Sequence, residues 1–371
     1  TKSNLQYTSR FYYYGNKSEF LFNDDPLNDS TNVNFGKQFV DREVVRTRRF
    51  GHITQFDLAA GQAHYLIAGV DLKYDRIAGL PDSVLYGKHN VLHAGVFFQD
   101  EWTLSDQVIL TAGIRYDHYR IIGTFDESNL SPKVAVVYNA SDRLALRALV
   151  AQAFRNPPIA ERFIKFEQGG GLTFEPNPDL RAEHLTLSTE TGINYQVDSR
   201  VTLDFALFYN RYRNLISFVQ IPGASLTFQV VNLKQAVMQG AEFSLHYRIA
   251  DIGAIKVGYT YLDASDTSED RVNDHLAYKI KHSVNASVQA TAGSFDLSIQ
   301  GRFRSAVKEV FIYPGSEPDG YFVMDALLRW HINEQYLVQM GVNNINNTQY
   351  EELERYRMPG RSFSLGVRAH F

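Results

Sequence analysis

The sequence predicts an all-β chain, and within that class a transmembrane antiparallel up-and-down β-barrel. Three observations carry the prediction. The first is alternation of period two from end to end. In the closing stretch Phe363, Leu365, Val367, Ala369 and Phe371 fall on one side and Ser364, Gly366, Arg368 and His370 on the other, because successive side chains of a strand point to opposite faces. The second is a set of tight, polar connections that alternate with long ones. The third is charge on the polar face of nearly every strand, which a soluble core would not tolerate because buried charge is costly unless paired. A lumen filled with water or polar protein tolerates it readily.

Taken in order, sixteen strands are expected, starting near Leu5, Val44, Ala63, Val91, Val108, Ser131, Arg143, His184, Val201, Val237, Ala254, Lys281, Phe295, Tyr321, Tyr336 and Ser362. Most are about 9 to 14 residues long, the length a tilted strand needs to cross a bilayer. Seven connections are tight: Ala59–Gln62, Thr103–Gln107, Asn139–Arg143, Gln196–Arg200, Ile249–Gly253, Thr291–Ser294 and His331–Gln335. They are built from Asp, Asn, Ser and Gly, the residues turns favour. The other eight read as long and alternate strictly with them, as in Gly15–Asp41, Arg155–Ala182, Asn214–Gln235, Asp263–Tyr278, Ser305–Gly320 and Asn346–Arg361. Short periplasmic turns and longer extracellular loops are the pattern of a membrane barrel. The faces sort cleanly: Val201, Leu203, Phe205, Leu207 and Tyr209 alternate with Thr202, Asp204, Ala206, Phe208 and Asn210.

Composition removes other classes. No apolar run is long enough for a transmembrane helix. Tyr (22) and Phe (25) are abundant, which suits strands and the aromatic girdles of a membrane barrel. With no cysteine there is no disulfide, thiol nucleophile or thiolate metal site. A net charge of −4 gives no reason to expect nucleic acid. Nucleophile elbows, His-Glu-x-x-His helices, P-loops and dinucleotide fingerprints are lacking, so no enzyme and no cofactor are expected. The eleven His show no metal-ligand spacing. The acidic stretch Asp263–Asp274 could hold Ca²⁺ through carboxylates, but it departs from EF-hand spacing and reads as a solvated loop, as does Asn23–Asp29. Without a linker rich in Pro, Ser or Gly, residues 1–371 read as one barrel domain.

Three ordered motifs add a family resemblance. Phe154-Arg155-Asn156-Pro157 with Glu161 is followed by Asn177-Pro178-Asp179-Leu180-Arg181-Ala182-Glu183. Later come Asn343-Asn344-Ile345-Asn346-Asn347, Tyr350 and Met358-Pro359-Gly360-Arg361, before a final strand that ends on the aromatic Phe371. Together they resemble the TonB-dependent outer-membrane receptors; Asn156 stands where the family usually has Ala, and Ala182 where it usually has Pro. The motifs cover the chain from about Val91 onward, and the first 90 residues match by pattern alone.

The resemblance implies a bacterial outer-membrane protein surrounded by lipid and lipopolysaccharide. It implies uptake of a scarce, bulky ligand, most often a ferric siderophore or other metal chelate, energised by a TonB complex acting on an N-terminal plug. A surface lipoprotein is a further partner to consider. Family barrels are of the plugged, 22-stranded kind. Sixteen strands without a plug therefore read as the C-terminal part of a longer receptor. Haem receptors of the family usually carry a His between the first two motifs; none lies between Phe154 and Asn177, which disfavours haem. The alternative from another class is a passive porin or structural surface barrel.

Recognition would fall to the long loops. Arg155, Arg162, Lys165, Arg355, Arg357 and Arg361 supply cations there, and Tyr313 and Tyr350 supply aromatic faces. Paired Arg and Tyr suit an anionic chelate. The competing reading is that these Arg pair with Glu161, Glu351, Glu352 and Glu354, or with lipid phosphates.

Overall fold

Alternating β-branched and aromatic residues, punctuated by Asp, Asn and Gly, produce long strands joined by hairpins. A computed structural model describes residues 4–21, 42–82, 85–165, 167–168, 172–224, 226–269, 271 and 273–370. The chain begins with β1 (Leu5–Leu21), β2 (Arg42–Ala60), β3 (His64–Leu80), β4 (Gly87–Ser105), β5 (Val108–Ile121), β6 (Phe125–Ser141) and β7 (Leu144–Arg155). A short helix, α1 (Ile159–Phe163), and two small strands, β8 (Glu167–Gln168) and β9 (Leu172–Glu175), follow. Next come β10 (Glu183–Gln196), β11 (Val201–Gln220), β12 (Thr227–Ile249), β13 (Gly253–Asp266), β14 (His282–Ala292), β15 (Phe295–Arg304), β16 (Tyr321–His331) and β17 (Tyr336–Asn343). A small hairpin, β18 (Glu351–Leu353) and β19 (Tyr356–Arg357), precedes β20 (Ser362–Ala369).

The residues gather into two compact units. One comprises Thr1–Val136, Leu149–Ser188 and Arg211–Gln235; the other comprises Val137–Ala148, Thr189–Asn210 and Ala236–Phe371. In the first, β1 to β5 form an antiparallel ladder in sequence order, with Tyr13 opposite Phe50, Phe50 opposite Tyr74 and Tyr74 opposite Leu92. Val91, Ile121 and Ile159 make a small core packed against Ile77, Tyr86, Tyr119, Phe125 and Phe163. In the second, β13 to β17 and then β20 pair antiparallel, each with the next, and Tyr336 of β17 lies opposite Ala369 of β20.

The two faces of each ladder are chemically opposite. Phe205 and Leu207 are 41% and 49% exposed, whereas Ala206 between them is 3% exposed. Val96, Phe98, Ile114, Leu365 and Val367 are likewise exposed, while Asp71, Asp75 and Asp117 are buried. This arrangement, apolar side out and charged side in, inverts a soluble protein and is the pattern of strands set in lipid.

All sixteen predicted strands are present, and the seven tight turns lie where the sequence placed them. The long connections differ from expectation, because strands run on beyond the apolar band: β6 starts at Phe125 rather than Ser131, and β12 at Thr227 rather than Val237. Pairing across a hairpin satisfies backbone groups that a free loop would leave to water. The strict alternation of short and long connections accordingly fails once. Between β5 and β6 only Ile122, Gly123 and Thr124 intervene, with Gly123 at φ 85. The terminal Phe371, Gly169–Gly171, Asp270 and the stretch Asn23–Asp29 lie outside the described residues.

Candidate functional site

The first two motifs fold into one knot in the first unit. Arg155, the last residue of β7, donates to both carboxylate oxygens of Glu161 at 3.0 Å and lies 3.5 Å from Glu183. Glu183 also accepts the Ile216 N–H at 3.0 Å. Pro158 leads into α1, where a missing N–H costs nothing because it would be unpaired anyway. Arg162 of α1 is fully buried; its guanidinium lies 3.7 Å from the centre of the Phe125 ring and donates to the Pro178 carbonyl at 2.9 Å. Asn177 anchors the far side through Val230 O at 2.8 Å, and Leu180 and Pro157 are buried beside it. Burial pushes the Arg162 guanidinium below its ordinary range, against the pull of Tyr119, Glu127 and Asp179.

The third motif is a second knot, in the other unit. Asn344 sits at φ 52, a conformation that Asn tolerates best after Gly. Its N–H bonds Asp325, its side-chain amide donates to Thr348 O and Pro359 O, and its side-chain oxygen accepts the Thr348 N–H. Asn346 bonds Met324 N and Phe322 O, and Asn347 accepts the Arg361 N–H. Among the described residues the Asn343 side chain makes one exposed bond, donating to Ser362 Oγ at 3.3 Å. A Cβ on Gly360 would sit 3.1 Å from the Asn347 oxygen, so that motif position requires a close approach.

Above this knot the β18–β19 hairpin is clamped by neighbouring loops. Tyr278 donates to Glu354 at 2.5 Å, and Arg355, at φ 62, lays its guanidinium 3.8 Å from the Tyr313 ring centre. Burial, and then Glu354, push the Tyr278 phenol up to about 12. A cavity of about 430 Å³ opens here, bounded by Tyr350, Arg355 and Arg357 and by Glu317, Asp319 and Glu351. Glu351 is engaged by the Arg355 N–H, and Glu317 is held below the usual carboxylate range first by the Gly315 N–H. A larger groove of about 660 Å³ follows the inner face of β12 to β16, lined by His246, Lys256, Asn285, Gln300, Arg302 and Asp325. Arg302 joins the two: it lines the groove, and its guanidinium donates to Tyr350 Oη at 2.6 Å.

The predicted site residues therefore separate. Tyr350, Arg355 and Arg357 share a cavity, and Tyr313 backs it through Arg355. Arg361 and Lys165 are exposed and line neither cavity. Arg162 offers no exposed charge to a ligand, and Arg155 is paired as the competing reading expected. Sequence reasoning missed Arg302, Tyr278 and the inner groove, because an Arg on a strand face carries no local signal of which loop tyrosine it will meet. In the acidic stretch, Asp274 is paired with Arg271 at 2.6 Å. Among the described residues no group of three metal-ligating side chains forms.

The family model described as "TonB dependent receptor-like, beta-barrel" matches residues 1–345. The chain belongs to the TonB-dependent receptor family. The iron-regulated outer membrane virulence protein of Vibrio cholerae is 26% identical over 326 residues, which is 82% of this chain and 49% of that protein. The ferrienterobactin receptor of Escherichia coli is 24% identical over 323 residues, 74% of this chain and 42% of that one. The chain thus spans about half the length of these relatives. Among solved structures, a variant of the ferric enterobactin receptor of Pseudomonas aeruginosa superposes with a TM-score of 0.77 at 16% identity, covering 98% of this chain and 59% of that one. The TonB-dependent receptor barrel is therefore the fold, and the bacterial outer membrane its place. In this TonB-dependent receptor the motif residues are structural: each of the two knots ties loops together within its own unit.

Proposed function

We propose that the protein serves TonB-energised uptake of an anionic metal chelate, most simply a ferric siderophore, and performs no catalysis. The observation that carries this is the joint at Arg302. It connects a loop cavity lined by Arg355, Arg357 and Tyr350 to a polar groove along the inner wall. Guanidinium and phenol groups recognise chelates rich in anionic oxygen. The named functions of the relatives, an iron-regulated outer membrane protein and a ferrienterobactin receptor, agree in kind. TonB would act through a plug encoded with this barrel, consistent with relatives about twice its length.

The test is uptake of radiolabelled ferric siderophore by iron-starved cells expressing the full-length receptor, with and without functional TonB. The expected result is uptake that needs both receptor and TonB. Equal permeation without TonB would make the barrel a passive porin.

A further inference from the structure

The loop cavity of the second unit divides its charge between two segments. Its lining carries three carboxylates, Glu317, Asp319 and Glu351, against two guanidiniums, Arg355 and Arg357, which leaves negative charge in excess. Glu317 and Asp319 stand on the connection between β15 and β16, whereas Arg355 and Arg357 belong to the β18–β19 hairpin. The two signs do not neutralise each other. The Arg355 guanidinium lies on the Tyr313 ring, and Glu351 takes the Arg355 main-chain N–H rather than a side chain. Beside the cavity Arg302 meets Glu352 at 3.5 Å, but among the described residues no ion pair joins Arg355 or Arg357 to Glu317, Asp319 or Glu351.

Each segment keeps bonding capacity for a ligand. Glu317 accepts the Gly315 N–H at 2.8 Å, and a carboxylate has about four acceptor sites, so most of them stay open. Burial, and then the charge of Glu317, push the Glu309 carboxyl up, so the acidic side extends to that residue as well. Among the described residues these acids do not gather into a group that could hold a metal ion, which points to an organic cation. On the cationic side Tyr350 is 9% exposed, and its oxygen accepts from Arg302 at 2.6 Å. Its hydroxyl proton has no acceptor among the described residues and is left for a ligand oxygen. A wholly anionic ligand would suit Arg355, Arg357 and Tyr350 but bring like charge against Glu317 and Asp319. That repulsion is stronger in a partly enclosed cavity than in bulk water.

We propose that the chelate taken at this cavity is dipolar: anionic oxygens engage Arg355, Arg357 and Tyr350, and a protonated amine on the same ligand engages Glu317 and Asp319. The inference rests on the cavity being the chelate site and adds the charge class of its ligand. An alkyl amine, with an ordinary pKa of about 10.4, is charged at neutral pH. Its three N–H donors can serve two separate carboxylates at once.

The experiment is calorimetric titration of the purified full-length receptor in detergent with two ferric chelates. One is the ferric complex of a tris-catecholate bearing a primary amine; the other is the same complex with that amine acetylated. Their iron centres are identical, so a difference in affinity reports the amine alone. The native protein binds the amine-bearing probe roughly tenfold or more tightly. The variant E317Q/D319N loses this preference because the amine-bearing probe weakens while the acetylated probe binds no worse; the heat-modifiable band on a gel verifies that it has folded. Equal weakening of both probes in the folded variant would make the two acids merely structural and overturn the proposal. Equal affinity of the native protein for the two probes also overturns it, whether or not the variant folds, and leaves the chelate reading standing. Binding of neither probe overturns both.

Discussion

Tyr278 donates its phenolic proton to Glu354 across 2.5 Å, joining two loops that are 76 residues apart in sequence. Glu354 is 8% exposed, and Phe311 packs edge-on against Tyr278 at 4.8 Å. The β18–β19 hairpin that borders the loop cavity is thereby fixed to its neighbour. Replacing Tyr278 by Phe strands a buried acceptor, at about 1–3 kcal/mol. The expected outcome is faster tryptic cleavage at Arg355 and Arg357 in Tyr278→Phe than in the parent.

The same pair gives a pH dependence. The folded Tyr278 phenol lies at about 12, above the ordinary value of about 10. A raised pKa means that the neutral form stabilises the fold: the contribution is complete below pH ~10 and is lost as the pH rises through ~12. Cleavage at Arg355 should therefore accelerate over that window in the parent, and Tyr278→Phe should be less sensitive there. Equal pH profiles would show that another group controls the hairpin.

Ligand affinity should follow the cavity rather than the motif. Arg355→Ala with Arg357→Ala should weaken binding of an anionic ferric chelate by roughly tenfold, about 1.4 kcal/mol. Arg361→Ala should leave it near the parent value, since Arg361 does not line the cavity. Fluorescence titration of the full-length receptor distinguishes the two.

The orientation of the faces is tested on β11. Phe205→Arg puts a cation into lipid at about 2–4 kcal/mol if the site is near mid-membrane, and Thr202→Arg, on the opposite face, should cost far less. Denaturant titration of refolded barrels measures both, and equal destabilisation would reverse the assignment.

Arg147 holds two inner carboxylates together, meeting Glu190 at 2.9 Å and Asp204 at 2.8 Å. Arg147→Met leaves them facing each other. Its side chain is 35% exposed, so the loss should be about 1–2 kcal/mol, below the 3–5 typical of a fully buried pair. Arg147→Met with Asp204→Asn should recover part of it in a thermal melt.

Asn344 and Asn343 are neighbours with opposite expectations. Asn344→Ala loses three side-chain bonds and strains a residue at φ 52, for about 2–4 kcal/mol. Asn343→Ala should fall within about 0.5 kcal/mol of the parent.

Much of this was legible in the chain. Period-two alternation marks Val201–Tyr209 as a strand with one lipid face, and Phe205, Ala206 and Leu207 obey it to the residue. The tight turns are readable because Asp, Asn and Gly have few other uses between apolar runs. The loops were less legible. Nothing local in Ser131 or Val237 says that pairing begins upstream of it, because that depends on a partner strand whose backbone is also unsatisfied. Motif residues were legible as motifs and not as scaffold: Arg162 reads as a free cation until α1 folds it against Phe125.

The sequence by itself determined the strands, their faces and the family, since these follow from side-chain period and from short ordered motifs. Only the tertiary structure decided which charges meet. It paired Arg155 with Glu161, buried Arg162, and set Arg302 under Tyr350, 48 residues away. The reason is physical: a strand's pattern is local, while a salt bridge or a cavity is made by register between strands and by loops closing over them. No single stretch of chain contains that information.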